Sequence, residues 1–363
     1  MTTIAVTGVG GLLGRALVQR LRAGGPDDAH GVDRIIGLDV RVPSGLVTDA
    51  GAAPDAAPDS APDVELRAFD VRDPGLVDVL AGVDVVVHLA FQMDPIRDVG
   101  EMRSINVDGT MNVMAAARAA GVGRVIYLSS VVAYGAHPDN DVPLTESSPL
   151  RGQPGFAYAE HKREVEDLLW LWHAAGDAPA LTVLRSAAVF GPGVQNFLTR
   201  VLELPALPEL PDAPPLQFVH VDDVVGAIVH ALTTPIDGAF NVAPDGWLDH
   251  ARVLALSGRR TLAMEPDRMR RLVEQAHRLG LGELEPGVVE LFQHPWLLAN
   301  DRLRATGWTP TRSNEETLLE TVLEHERFVS LGRLRTDRTT LRAAGLAAAT
   351  LLAAVSVAAL RRR

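Results

Sequence analysis

Between an apolar run, Thr3 to Thr7, and a helical pattern from about Leu12 to Ala23, the chain reads TGVGGLLG, which places Gly8, Gly11 and Gly14 three residues apart. A buried strand that turns straight into a helix through such a loop commits the chain to a crossover connection, and so to a sheet with parallel neighbours. Glycine is needed where the turn is tight, where backbone must approach a pyrophosphate, and where helix packs on strand. The helix start then offers unpaired N–H groups, here those near Leu12 and Leu13, and a dipole that favours negative charge.

The runs that follow repeat the theme. RIIGLD, VELRAFD, DVVVHLA, RVIYLSS and LTVLRSAAVF are apolar without polar alternation and are separated by helical stretches, the pattern of a parallel sheet covered on both faces. The expected fold class is α/β, a Rossmann-type doubly wound parallel sheet with a smaller C-terminal substrate-binding lobe. Residues 1–195 are expected to form the dinucleotide-binding domain, its sheet completed by segments near 218–245, and residues 196–330 mainly the lobe. The proline-studded stretch 197–215 leaves room for a short helix followed by an irregular segment. Helices are expected near 223–233, 249–257, 265–279 and 314–329. Residues 50–62, AGAAPDAAPDSAP, read as a solvated excursion between the second and third strands.

Composition limits the partners. Lys plus Arg total 34 against 46 for Asp plus Glu, a net charge of -12, and the arginines are scattered, which argues against nucleic acid. The densest basic stretch, Arg259 to Arg278, is interleaved with Glu265, Asp267 and Glu274 and reads as a solvated helix face. Cysteine is absent, which excludes disulfides and thiolate chemistry and fits a reducing compartment. With no signal-peptide pattern ahead of Thr3, a cytoplasmic location is expected. Residues 331–363 read as an Ala-rich, Arg-flanked tail, and Ala343 to Leu360 runs without a charge between Arg342 and Arg361. That length sits near the lower limit of ~17 apolar residues for a spanning helix, so a membrane anchor through 343–360 and a soluble alanine-rich helix both fit it.

Asp39 closes RIIGLD, where a carboxylate can accept hydrogen bonds from both hydroxyls of an adenosine ribose; that favours NAD over a 2'-phosphorylated cofactor. Arg41 nearby could serve such a phosphate, and a strand-end turn is the alternative reading of Asp39. Tyr158 and Lys162 lie four apart in the helical segment AYAEHKREVEDLLWLW and so share one face. Lys162 is the sole lysine beside thirty-three arginines. A tyrosine acting as a base must lose its proton well below its usual pKa of about 10, and a nearby ammonium favours the phenolate. Lysine supplies a compact, rotatable charge that can also reach a ribose, which the planar guanidinium fork does not. Ser130 ends RVIYLSS at the ligand-binding edge of such a sheet, where a hydroxyl can bond the reacting oxygen; Ser129 is its competitor. The eleven histidines show no HExxH or paired ligand spacing, so no metal site is expected. His88, His161 and His220 read as packing or hydrogen-bonding groups, and Asp222 with Asp223 as a helix start.

Together these residues resemble an extended short-chain dehydrogenase/reductase of the NAD-dependent epimerase/dehydratase family. The similarity covers most of residues 3–310 and runs through TGVGGLLG, Asp39, DVRD (70–73), HLAF (88–91), NVDGT (106–110), YLSSVVAYG (127–135), YAEHK (158–162), LRSAAVFGPG (184–193), FVHVDDVV (218–225), FNVAPDG (240–246) and GWTP (307–310). The resemblance implies that Asp70 and Val71 lie at the adenine ring, that Leu89 and Ala90 line the cofactor groove, and that Asn106 supports the active-site end. It places the catalytic serine four residues before the tyrosine of the YG pair, Tyr134, which points to Ser130. Tyr158 becomes the general acid/base and Lys162 the ligand of the nicotinamide ribose. NAD as cofactor and a homodimer are implied in the same way.

Three departures narrow the substrate. Val131 and Val132 stand where dehydratases of the family carry an acidic pair, Leu216 and Gln217 stand where sugar-nucleotide enzymes carry a diphosphate-binding arginine, and Ser186 replaces a frequent proline. The expected function is an NAD-dependent oxidoreductase/epimerase acting on a secondary alcohol carbon by Tyr-Lys-Ser hydride-transfer chemistry, in the first place a nucleotide-sugar epimerase-like enzyme, since a nucleotide sugar is the family's usual substrate. A dehydrogenase or reductase of a lipid-like or sterol-like alcohol is the alternative, motivated by apolar Leu202 to Leu216 and the tail. A non-catalytic dinucleotide sensor is a third reading, against which the retained tyrosine and lysine speak.

Overall fold

The computed structural model describes residues 2–24, 31–42, 46, 61–96, 98–281, 284–331 and 334–337. Seven strands build the central sheet: β1 (Thr2–Thr7), β2 (Val32–Asp39), β3 (Asp63–Ala68), β4 (Val85–His88), β5 (Arg124–Ser130), β6 (Ala180–Ser186) and β7 (Gly238–Val242). They lie in the order β3-β2-β1-β4-β5-β6-β7, every neighbour parallel. The chain returns from the β3 edge to lay β4 beside β1, so the winding reverses there and opens a crevice at the carboxyl ends of those two strands.

Helices α1 (Leu12–Ala23), α2 (Gly109–Ala119), α3 (Ala157–Ala174) and α4 (Val221–Thr233) cover the sheet, α1 packing beside α4 and α2 beside α3. The two-residue period of a strand sorts its side chains between these layers. Ile4, Val6 and Ile126 join the core that holds Leu17 of α1 and Val224 of α4, whereas Ala5, Val125 and Tyr127 join the core of α2 and α3.

LTVLRSAAVF splits in two: after β6, the short strand Ala188–Phe190 leaves the sheet and pairs with Phe218–His220. Of the region 218–245, therefore, β7 is the part that joins the main sheet. The proline-studded stretch forms the short helix Phe197–Val201, opened by an Asn196 capping box, and then the strand Leu207–Glu209, which pairs with Thr261–Ala263. Further helices are α5 (His250–Ser257), α6 (Pro266–Arg278) and α7 (Asn314–His325). Met269 of α6 packs with Leu210 and Val289 in a small core of the lobe's own.

The helix expected over 314–329 ends at His325, and the chain turns into the hairpin Phe328–Leu331 and Leu334–Asp337. Fully buried Glu203 ties that hairpin down: it accepts from Arg335 at 2.6 Å and from the Ser330 hydroxyl, and faces His325 Nδ1 at 2.7 Å. The chain thus stays within the lobe through Asp337, past the point where the tail is expected to begin. Residues 50–60 and the stretch 343–360 lie outside the described residues. Among the described residues no helix is long and apolar enough to cross a membrane.

Candidate active site

The glycine loop is shaped by close backbone approaches. Gly8 has φ +73°, and a Cβ there would come within 2.6 Å of the Ala90 nitrogen. At Gly14 it would meet the Gly8 carbonyl oxygen at 2.5 Å, so helix and turn can approach this closely only without a side chain. Gly10, which the three-residue spacing did not single out, is equally constrained: its N–H donates to Asp39 Oδ2 at 2.9 Å, and a Cβ would sit 2.9 Å from that same oxygen. The other Asp39 oxygen accepts from the Arg41 N–H at 3.0 Å. Across the crevice the Leu89 and Ala90 amides donate to the carbonyl and hydroxyl of Thr7. Helix α1 opens at Gly11 without a side-chain cap, so no side chain occupies the helix start at Leu12 and Leu13, where the glycines keep the backbone closely packed. That geometry fits a dinucleotide's pyrophosphate.

Further along the crevice, the Asp70 carboxylate is clasped by Arg72, whose guanidinium donates at 2.7 Å and holds it below the usual carboxylate range. Val71 is buried, and its carbonyl accepts from the Asn112 side chain at 2.7 Å. Asn106 lies in a π-helical turn, Ser104–Asp108, fully buried. Its amide pairs with the Gln92 backbone in both directions, at 2.6 and 2.9 Å, and stands 3.2 Å from His161 of α3. A π-turn interrupts the regular ladder and re-aims a side chain; here it joins the loop after β4 to the helix that carries Tyr158.

Buried His88 belongs to this framework. Thr110 donates its single hydroxyl proton to the Asn106 carbonyl at 2.6 Å, so it must accept from His88 Nε2 at 2.9 Å. His88 Nδ1 then accepts from the Thr7 hydroxyl at 2.6 Å. Burial, with the charge of Lys162 adding to it, pushes the imidazole pKa down to about 3 and keeps it neutral.

Tyr158 and Lys162 do share one face of α3, but burial decides their protonation. Tyr158, partly buried between Phe91 and Phe156, has its pKa pushed up to about 12 by desolvation, against which a hydrogen bond from Ser130 works. The expected lowering by the lysine is therefore absent here, because the ammonium points past the phenol. Lys162 Nζ donates to the Leu128 carbonyl at 2.7 Å and to the Tyr127 hydroxyl at 3.1 Å, and desolvation brings its own pKa down to about 7.

Ser130 and Ser129 take opposite sides of β5. The Ser129 hydroxyl is spent on buried Glu166, 2.5 Å away, and Glu166 accepts three further bonds from Arg185, the shortest 2.7 Å. Arg185 continues to the Tyr134 hydroxyl at 2.7 Å, which donates to Asn241 at 2.8 Å. This network lies behind the lysine and was not singled out from the sequence; the one available signal was Glu166 standing four residues after Lys162 in the same helix. Ser130, at the C-terminal end of β5, accepts from the Val132 N–H at 3.4 Å and has its hydroxyl proton available for Tyr158.

Elsewhere the residues have other employment. His220 caps α4, accepting from the Asp222 N–H at 3.1 Å, so the helix starts at Val221 rather than at Asp222. Asp223 accepts from the Thr311 hydroxyl and amide and the Arg312 amide. Buried Gln217 donates to the carbonyls of Pro244, Gly246 and Leu298 and accepts from the Leu298 N–H at 2.9 Å.

Comparison with known proteins agrees with this geometry. The model of the NAD dependent epimerase/dehydratase family matches residues 4–243. A 3-diazoavenalumate denitrifying reductase from a Streptomyces species is 32% identical over 333 residues, covering 85% of this chain and 96% of that protein. An uncharacterized Mycobacterium tuberculosis protein is 30% identical over 264 residues; the match takes in 70% of this chain and spans 66% of that relative's length. Among solved structures, a dTDP-glucose 4,6-dehydratase from Streptomyces venezuelae shares the fold with a TM-score of 0.68 at 24% identity, over 90% of this chain and 97% of that one. A UDP-glucose 4-epimerase from Thermotoga maritima does so with a TM-score of 0.64 at 20% identity, over 90% and 99%. Matched over more than half its length by the family model and along most of it by the reductase, the chain belongs to the NAD-dependent epimerase/dehydratase family of enzymes, with NAD as its cofactor.

Proposed function

We propose that the protein catalyses net NAD-linked oxidoreduction between a secondary alcohol and the corresponding carbonyl, with Tyr158 moving the proton, Ser130 donating a second hydrogen bond to the reacting oxygen, and Lys162 as the fixed charge. One observation supports the reading: Ser130, at the C-terminal end of β5, stands near enough to Tyr158 to work against its desolvation, while the Lys162 ammonium is fastened by Leu128 and Tyr127. Gly8, Gly11, Leu12, Leu13 and Gly14 would cradle the cofactor's pyrophosphate, Asp39 its adenosine ribose, and Asp70 with Val71 its adenine. Leu89 and Ala90 would line the groove, and Asn106 would hold its active-site end. Bound NAD supplies the hydride acceptor or donor for the reacting carbon.

Tyr158, held protonated by burial, is a proton donor at neutral pH in the direction of reduction. The Ser130 hydroxyl stabilises the developing alkoxide. In oxidation the phenol must first ionise, and the Ser130 hydrogen bond is what works toward this against desolvation.

The substrate follows from what the site lacks. Val131 and Val132, both buried, offer no acid or base for dehydration. Gln217, where the resemblance expects a diphosphate-binding arginine, has its amide spent on four backbone partners. A compact alcohol or carbonyl without a nucleotide handle fits better, and the 32% identical relative that is a reductase supports net redox. Leu202, Leu207 and Leu210 are buried in the lobe, so they present no lipid-binding surface. Epimerisation of a nucleotide sugar is the second reading, supported by the family's name. Purified protein with NAD and a panel of secondary alcohols should accumulate NADH in proportion to ketone formed, and Tyr158→Phe or Ser130→Ala should slow this by ~10²–10⁴-fold. Epimerised product without NADH would replace the first reading with the second; full activity in Tyr158→Phe would sink both.

A further inference from the structure

We propose that Phe91 is a positioning residue of this site: its ring face carries the third direction of the Lys162 ammonium, and the same ring braces Tyr158. The proposal rests on the reading of Lys162 as the fixed charge of the reaction. An ammonium has three N–H groups. Two of them reach the Leu128 carbonyl and the Tyr127 hydroxyl at 2.7 and 3.1 Å. Beyond these, the Phe91 ring centroid lies 3.6 Å from Nζ, nearer than the rings of Tyr127, at 4.6 Å, and Tyr158, at 5.9 Å. The Phe91 ring also meets that of Tyr158 at 81° with centroids 5.7 Å apart, so one side chain touches both members of the pair.

The ring is itself held in place. It follows Leu89 and Ala90, whose amides bond Thr7 and whose backbone closes over Gly8. An aromatic face attracts a cation and has no comparable attraction for a neutral amine. Phe91 therefore favours the charged lysine at the point where burial works against it. The titratable or charged groups facing Lys162 are few: Tyr127 on β5, neutral His88 on β4 stacked against Tyr127, and Tyr158 and Glu166 on α3. Glu166 favours the charge, but its oxygens are bonded to Arg185 and Ser129. The Phe91 ring is the partner that lies against the ammonium itself.

The single lysine makes the test direct. Protein grown on lysine labelled with ¹³C at Cε gives one lysine signal, which can be titrated in the full chain without cofactor or substrate. Phe91→Leu keeps the apolar bulk and removes the π face; its titration midpoint should fall by roughly 0.5–1.5 pH units below that of the parent. Phe91→Tyr should restore the parent value. If Phe91→Leu does not fold, Phe91→Met serves in the same comparison. A midpoint unchanged in Phe91→Leu or Phe91→Met, or one lowered as far in Phe91→Tyr, overturns the assignment. The two readings fail separately: an unmoved midpoint with an inactive Tyr158→Phe sinks the role of Phe91 alone. A lowered midpoint with a fully active Tyr158→Phe sinks the catalytic reading.

Discussion

At Lys162 two effects oppose each other: desolvation disfavours the ammonium, and the carboxylate of Glu166 favours it, with desolvation the larger. The folded pKa of about 7 lies below the ordinary 10.5, so between these values the unfolded chain binds a proton that the folded one releases. Stability from this group therefore rises with pH across that window. Lys162→Met removes the dependence, and the stability difference between parent and variant, measured by urea unfolding at pH 7 and pH 10, should move in the parent's favour at the higher pH. Glu166 is the opposite case, a buried charge fully committed to a partner. Glu166→Gln leaves the Arg185 guanidinium without its counter-charge, and a loss of ~3–5 kcal/mol in urea unfolding at neutral pH is expected; a loss below 1 kcal/mol would mean that the pair is not the anchor described. Sequence alternation already separates Ser129 from Ser130 onto opposite faces of β5, but which face holds Glu166 depends on the layer to which α3 returns.

The element that matters most is α3, because its first turn carries Tyr158. Its N-terminus has no local side-chain cap; instead Glu285, from the lobe, accepts from the Ala157 N–H at 3.2 Å, and Gly287 donates to the Gly155 carbonyl at 2.9 Å. A Cβ at Gly287 would stand 2.4 Å from the Pro154 carbonyl oxygen. Gly287→Ala must push the lobe segment off the start of α3, and a loss of ~1–3 kcal/mol is expected, as for other overpacked sites. Turnover should fall along with stability, since Tyr158 lies one residue beyond the displaced contact; unchanged turnover in a destabilised variant would show that this docking does not position the tyrosine. Local signals foretold β5 and α1 to the residue, because an apolar run or a glycine turn marks each boundary. They overran at α7: beyond His325 the sequence still allows a helix, and it is the pull of Glu203 on Ser330 and Arg335, well over a hundred residues away, that makes the hairpin.

Across the whole molecule, buried and half-buried histidines set the response to acid. His88, His161, His230 and His250 are all held below the ordinary value of 6.5 by burial. As pH falls through about 6.5 the unfolded chain takes up protons that these side chains refuse, so stability declines. Asp70 and Asp245, held below 3.8 mainly by Arg72 and Arg304, add to the loss at lower pH. The urea midpoint should already be lower at pH 5.5 than at pH 7.5, and should drop further below pH 4; a flat profile down to pH 5 would contradict this burial.

The amino-acid sequence by itself determined the parallel α/β sheet and the close-packed glycine turn and singled out Tyr158 with Lys162 as a pair on one helix, since each is written in short-range spacing: apolar runs, glycines three apart, and a tyrosine one helical turn before the sole lysine; the preference for Ser130 over Ser129 came from the family resemblance. Only the tertiary structure decided the electrostatics of that pair. Burial, rather than the neighbouring charge, governs Tyr158 and Lys162, and the groups gathered around the lysine and its helix neighbour Glu166, namely Phe91, Tyr127, Leu128 and Arg185, arrive from other elements. Desolvation and hydrogen bonding depend on what is brought close in space, which no spacing along the chain encodes.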